Sequence, residues 1–168
     1  MSREQQRRRI NSPAIAEQRF FGENKPLDPL VSELLNFVKN QHSKYDIVSD
    51  LVNNAGYPIW NKSISFTKNG IGRNSYGDTD TSVTFIPFVR DSQNFVNSTL
   101  IIRSERGDTS FKMIYDFQYK EYTFGTITDD FTAKDILNIF MTLDKEVFDR
   151  RVFQINDGRL VGEDTTET

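Results

Sequence analysis

The feature that most constrains this chain is a change of period. Apolar residues recur at helical spacing up to Ala55, and alternate with polar ones from Ile64 onward. A helix buries one stripe at a period of 3.6 residues and a strand one face at a period of two. The switch falls at Gly56-Tyr57-Pro58, where a glycine suited to a helix C-cap precedes a proline that forces extended backbone. Helices and strands therefore come in blocks, which favours α+β over alternating α/β.

In the helical block, Asn11-Ser12-Pro13 predicts a short helix ending at Gly22. Asp28-Pro29 starts a stronger one, with Leu30, Leu34, Phe37, Val38 and Gln41 in register and Val31 and Leu35 widening the stripe. A third starts between Ser43 and Asp46 and places Ile47, Val48, Leu51, Val52 and Ala55 on one face. Trp60 is expected to pack over the helix–sheet junction.

In the strand block, Ile64 and Phe66 mark a short strand, and Lys68 to Asp80 reads as a long exposed loop. Val83 to Val89 reads as a strand that Pro87 assigns to an edge or a bulge. A further strand is expected within Phe95 to Ser104. Phe111, Met113, Tyr115, Phe117 and Tyr119 alternate with Lys112, Ile114, Asp116, Gln118 and Lys120, as in a sheet with one wet face, and Tyr122 and Phe124 extend it. Thr132 opens a helix with Ile136, Ile139, Phe140, Leu143 and Val147 inward, and Asn156-Asp157-Gly158 turns a terminal hairpin. The expected fold is an antiparallel sheet of four to five strands packed against helices, like cystatin-like or NTF2-like domains in shape. Residues 1–12 read as a flexible basic start, 13–161 as a single α+β domain and 162–168 as an acidic, disordered tail.

At 168 residues the chain can bury roughly 70% of its unfolded surface, so it needs no metal or disulfide to form a core. Only 36% of residues are hydrophobic, but 14 Phe supply large buried areas. No cysteine is present, which excludes thiol catalysis, Cys-ligated zinc and Fe–S clusters. No apolar run reaches the ~18 residues of a membrane helix. No signal peptide is present as written, so the sequence fits a cytoplasmic protein or a processed chain. The net charge of −3 makes nucleic acid an unlikely partner. The local exception is Arg3, Arg7, Arg8 and Arg9, which could touch phosphate or an anionic surface but read first as a solvated terminus.

The chemical motifs fail one by one. His42 stands alone at a helix C-terminus, where the dipole accounts for it. Asp78-Thr79-Asp80 starts like a calcium loop, but Val83 and Val89 occupy the sixth and twelfth positions. Tyr76, Asp78 and Asp80 remain as a candidate ligand-binding loop. Asp129-Asp130 reads as helix-dipole compensation. Gly70-Ile71-Gly72 completes neither a dinucleotide fingerprint nor a P-loop. A carboxylate pair such as Glu105 with Asp116 is conceivable, with nothing to set its separation. No catalytic residue, metal ligand or cofactor is assigned. Tyr57, Trp60, Tyr76, Tyr115, Tyr119 and Tyr122 could present rings to a sugar, a peptide or single-stranded nucleic acid, although period-two aromatics are ordinarily core.

The stretches from Gly56 to Lys62 and from Ile86 to Asn94, with Tyr115-Asp116-Phe117-Gln118-Tyr119 downstream, resemble the N-terminal regions of a family of uncharacterised bacterial exported proteins. The resemblance spans roughly residues 20–155. It implies an extracytoplasmic setting, a lost export signal and a further domain beyond the acidic tail, and it carries no active site. The expectation is a non-catalytic interaction or accessory domain with a protein or glycan partner. The alternatives are a carboxylate-dependent hydrolase of envelope or carbohydrate substrates, and a nucleic-acid-binding or defence-type protein using the arginine-rich start.

Overall fold

A computed structural model of the chain describes residues 12–68, 81–118 and 133–151. The expected terminal hairpin, Thr132, Tyr119 to Phe124 and most of the polar loop lie outside them.

Helix α1 spans Pro13–Gly22, with the Ser12 hydroxyl accepting from the Ile15 amide at 3.3 Å. Helix α2 spans Pro29–Tyr45 and starts on Asp28, whose carboxylate accepts from the Leu30 amide at 2.8 Å. Both place proline in the first turn, where its missing N–H costs nothing. Helix α3 covers Val48–Ala55 and ends on Gly56. Strands β1 (Tyr57–Pro58) and β2 (Ile64–Lys68) flank a short 3₁₀ turn at Trp60–Lys62. β3 (Thr81–Val89), β4 (Ser98–Glu105) and β5 (Asp108–Tyr115) form a continuous antiparallel meander. Helix α4 covers Ala133–Phe148. The result is the α+β architecture expected from the blocked pattern.

Pro87 is not on an edge. β3 pairs with β4 on one side and with both β1 and β2 on the other. Its register with β4 runs unbroken from Thr81↔Glu105 to Phe88↔Ser98, so there is no bulge on that side. The interruption is in the neighbour, because the 3₁₀ turn separates Pro58↔Phe88 from Ile64↔Phe85. The Pro87 carbonyl faces this break and accepts from the Ile59 amide at 2.8 Å. A strand residue's N–H and C=O point the same way, so the donor that proline lacks falls where the ladder is already broken.

Helices cover both faces of the sheet. On one face Phe20, Leu34, Val38, Val48 and Trp60 pack against Ile86, Phe88, Leu100 and Ile102. On the other, Ile136, Phe140 and Leu143 of α4 pack against Phe85, Val96, Ile101 and Ile114. The wet face expected from the β5 alternation is thus corrected at Ile114, which is fully buried under α4. β5 is also shorter than its aromatic pattern. It ends at Tyr115, and Phe117 sits in a 3₁₀ turn, Asp116–Gln118, rather than in the strand. The Gln118 side chain accepts the Tyr115 amide at 2.9 Å.

Trp60 does pack at the junction. Its indole N–H donates to the Phe20 carbonyl at 2.7 Å, and its ring meets Phe20 edge-on at 6.0 Å. A buried indole needs such an acceptor, and here it locks α1 to the broken edge of the sheet.

Candidate functional site

The β3–β4 connection, residues 90–97, is where the layers are joined. Its first residues reach the helices of one face. Arg90 donates to the Asn54 carbonyl at the end of α3, and Asp91 receives both arms of the Arg19 guanidinium, the Nη1 bond measuring 2.8 Å. Arg19 also lies 3.3 Å from Glu23 and 3.8 Å above the Tyr57 ring. The bidentate bond from Arg19 holds the Asp91 carboxyl below the usual range despite partial desolvation.

The later residues reach the other face. The Arg150 guanidinium donates to the Asn94 carbonyl at 2.8 Å, and the Val96 amide donates to Asp144 Oδ1 of α4 at 2.7 Å. Asn97 returns inward. Its side-chain amide donates to the Ala55 carbonyl at 3.0 Å, and its own carbonyl accepts the Asp116 amide at 2.8 Å. One short segment therefore ties α1, α3, α4 and the end of β5 together.

Beside it is a cavity of about 230 Å³ bounded by Arg19, Asn24, Tyr57, Ile59, Asp91 and Gln93. The Gln93 Oε1 atom is shielded from solvent and has no hydrogen-bond partner among the described residues.

Two carboxyl groups near this segment are displaced upward in pKa. Asp144 is 9% exposed, and burial is the main cause, opposed by the Val96 amide and Arg150 and reinforced by the charge of Asp116. Asp116 retains exposed surface, yet protein packed against its inner side desolvates the carboxyl enough to raise it, opposed by the Phe117 amide and Arg90. Asp116 was a candidate from the sequence; Asp144 was not. Asp144 falls next to the inward-facing Leu143 on a helix already explained by its apolar stripe, so only its burial against Val96 reveals it.

Glu105 and Asp116 do not pair. Glu105 faces Asp108 at one end of the β4–β5 hairpin, and Asp116 follows Tyr115 at the other. At about 3.3 Å per residue they are roughly 25 Å apart, beyond the ~5–10 Å of a glycosidase pair.

His42 is part of the helical scaffold. It sits in the last turn of α2, where its Nδ1 accepts the Val48 amide at 3.3 Å and so caps α3, whose Ile47 cap position has no suitable side chain. Its Nε2 lies 3.6 Å from Glu17 of α1. Tyr76, Asp78, Asp80, Arg3, Arg7, Arg8 and Arg9 all lie outside the described residues. Among the described residues no group of three His, Cys, Asp or Glu could hold a metal ion. No described helix is long and apolar enough to cross a membrane.

Aromatic side chains remain open along β5. Phe111 is 39% exposed and meets Phe37 of α2 edge-on at 6.0 Å. Phe117 is 71% exposed and stacks on Tyr115 at 5.6 Å and 14°. Met113 and Tyr115 are half-buried between them.

Comparison of the chain with protein-family models, curated proteins and solved structures finds no match.

Proposed function

We propose that this chain is a non-catalytic interaction or accessory domain of an exported bacterial protein, binding a protein or glycan partner along the aromatic rim of β5. The observation that carries this reading is the stacked Tyr115–Phe117 pair, which leaves a large ring 71% exposed just past the end of β5. Rings held by stacking lose little freedom on binding and offer a broad apolar face to a sugar or an extended peptide. The motifs behind the resemblance support a scaffold role, since Gly56 to Lys62 and Ile86 to Asn94 pair with each other across β1 and β3.

Tyrosine fluorescence titrated with soluble glucans, chitooligosaccharides, muropeptides and a random peptide library tests this. A saturable change that Phe117→Ala weakens tenfold or more supports it, and equal binding by wild type and variant refutes it.

The runner-up, a carboxylate-dependent hydrolase of envelope or carbohydrate substrates, is favoured by Asp116 and Asp144, whose pKa values are both raised, mainly by burial, with the charge of Asp116 adding to the rise at Asp144. Turnover of such a substrate, abolished by Asp116→Asn or Asp144→Asn in a folded protein, would move it to first place.

A further inference from the structure

A groove between α1 and α2 shares no lining residue with the aromatic rim of β5. Its volume of about 520 Å³ falls within the range of about 300–1,000 Å³ typical of small-molecule sites. Ala14, Gln18 and Phe21 line it from α1, at the i, i+4 and i+7 positions that share one helix face. Ile15 borders it with 44% of its surface exposed, so the wall beside the Phe21 ring is apolar.

The charges of the groove are unequally matched. Its acid, Glu17, stands one turn before Phe21 and faces His42, with Oε2 3.6 Å from Nε2. Because His42 Nδ1 accepts the Val48 amide, the neutral ring carries its hydrogen on Nε2, toward Glu17. Arg19, the one cation of α1, is held by Glu23 and Asp91. Lys25 and Lys39 are exposed at the groove and form no ion pair among the described residues. Both are placed from behind. The carbonyl of Asn24 accepts the Asn61 amide at 2.9 Å and so fixes the backbone just before Lys25, and Lys39 Nζ lies 5.9 Å from the centre of the Phe21 ring.

From this arrangement we infer that the α1–α2 groove binds a small amphiphilic anion, a carboxylate on an apolar chain. The head lies with the ammonium groups of Lys25 and Lys39, and the chain along Phe21, Ala14 and Ile15. Ammonium groups are point charges on flexible stems, so they hold a carboxylate without a fixed fork, and their stems add apolar surface. The same lysines repel a cationic amphiphile, and Glu17 opposes a head of higher negative charge. A sugar lacks a platform here, because Phe21 is only 8% exposed and offers no open ring face. The site stands on these residues alone, whether or not the β5 rim binds a partner.

Amide NMR titration of the full chain with monomeric decanoate tests it. Saturable shifts are expected at Ala14, Gln18, Gly22 and Lys39. Lys25→Gln combined with Lys39→Gln should weaken binding by about tenfold or more, and so should exchanging decanoate for decyltrimethylammonium, which keeps the chain and reverses the charge. Acetate, the head alone, should not saturate at the same concentrations. A Cβ built on Gly22 meets no atom within 4 Å, so Gly22→Phe can fill the groove without moving the core, and it should abolish binding. Absence of saturable shifts, shifts confined to residues 111–117, or equal affinity for the cationic chain overturns the site. Equal binding by the lysine variant does so too. If that variant does not fold, Gly22→Phe decides: lost binding supports the groove and retained binding overturns it. Failure here leaves the Phe117→Ala result intact, because the two sites share no residue.

Discussion

Arg19 and Asp91, separated by 72 positions in sequence, meet in a bidentate ion pair that fastens the first helix to the turn after the central strand. Much of the guanidinium is packed, because it also lies over Tyr57, while the Asp91 side chain remains 68% exposed. The two partners are therefore not equivalent on mutation.

Replacing Asp91 with Asn should lower stability by only about 0.2–1 kcal/mol, as expected for a solvent-screened pair. Arg19→Ala also removes a stem and a cation–π contact, and should cost about 1–2 kcal/mol. Urea melts of both variants at low and high salt separate the contributions. The Asp91 loss should shrink with salt, while most of the Arg19 loss should persist.

Gly56 has φ +90° and lies against the strand it feeds. An added Cβ would come within 2.7 Å of the Val89 carbonyl carbon and 2.8 Å of the Arg90 nitrogen, with the carbonyl oxygen closer still. Gly56→Ala should destabilise the domain by about 2 kcal/mol or more, combining left-handed strain with a clash against backbone that cannot move aside. A thermal melt within 1 kcal/mol of wild type would contradict this close approach.

Asp144→Ala should cost about 1–3 kcal/mol, because it strands the buried Val96 amide without an acceptor. Asp144→Asn should be neutral or stabilising at pH 7, since it keeps an acceptor and removes a buried charge. The sign with pH follows from the raised pKa values. The native state holds protons at Asp116 and Asp144 that the unfolded state has released, so wild-type stability from these groups falls as pH rises from about 4. Denaturant midpoints from pH 4 to 8 should show the Asn variant losing less over that range.

His42→Ala should cost about 1 kcal/mol through loss of the cap on α3. Circular dichroism and melts should show native strands with a weakened helical signal. If His42 served chemistry instead, its removal would leave stability untouched.

The helical half of the chain was legible because its signals are local. Ser12-Pro13 and Asp28-Pro29 start helices wherever the chain goes next, and Gly56 ends one by its own conformational freedom. The strands were legible as strands but not in their placement. Pro87 looked like an edge residue because sequence reveals the donor it lacks, not the break in the neighbouring strand that makes the loss harmless.

The candidate site was less legible still. Tyr115, Phe117 and Asp116 stood out by type, yet their pattern extended the strand past the point where Gln118 accepts the Tyr115 amide and turns the chain. Asp144 gave no signal, because a carboxylate beside an apolar stripe is normal on an amphipathic helix.

Composition and periodicity by themselves determined the α+β class, the helix starts and a phenylalanine-rich core, since each follows from backbone preference or from burial at a fixed spacing. Tertiary structure alone decided that both faces of the sheet are covered, that Pro87 is interior, and that Arg19, Asp91, Val96 and Asp144 converge on one turn. The last of these depends on contacts between residues 48 and 72 positions apart, and no local pattern encodes which distant partner will be there.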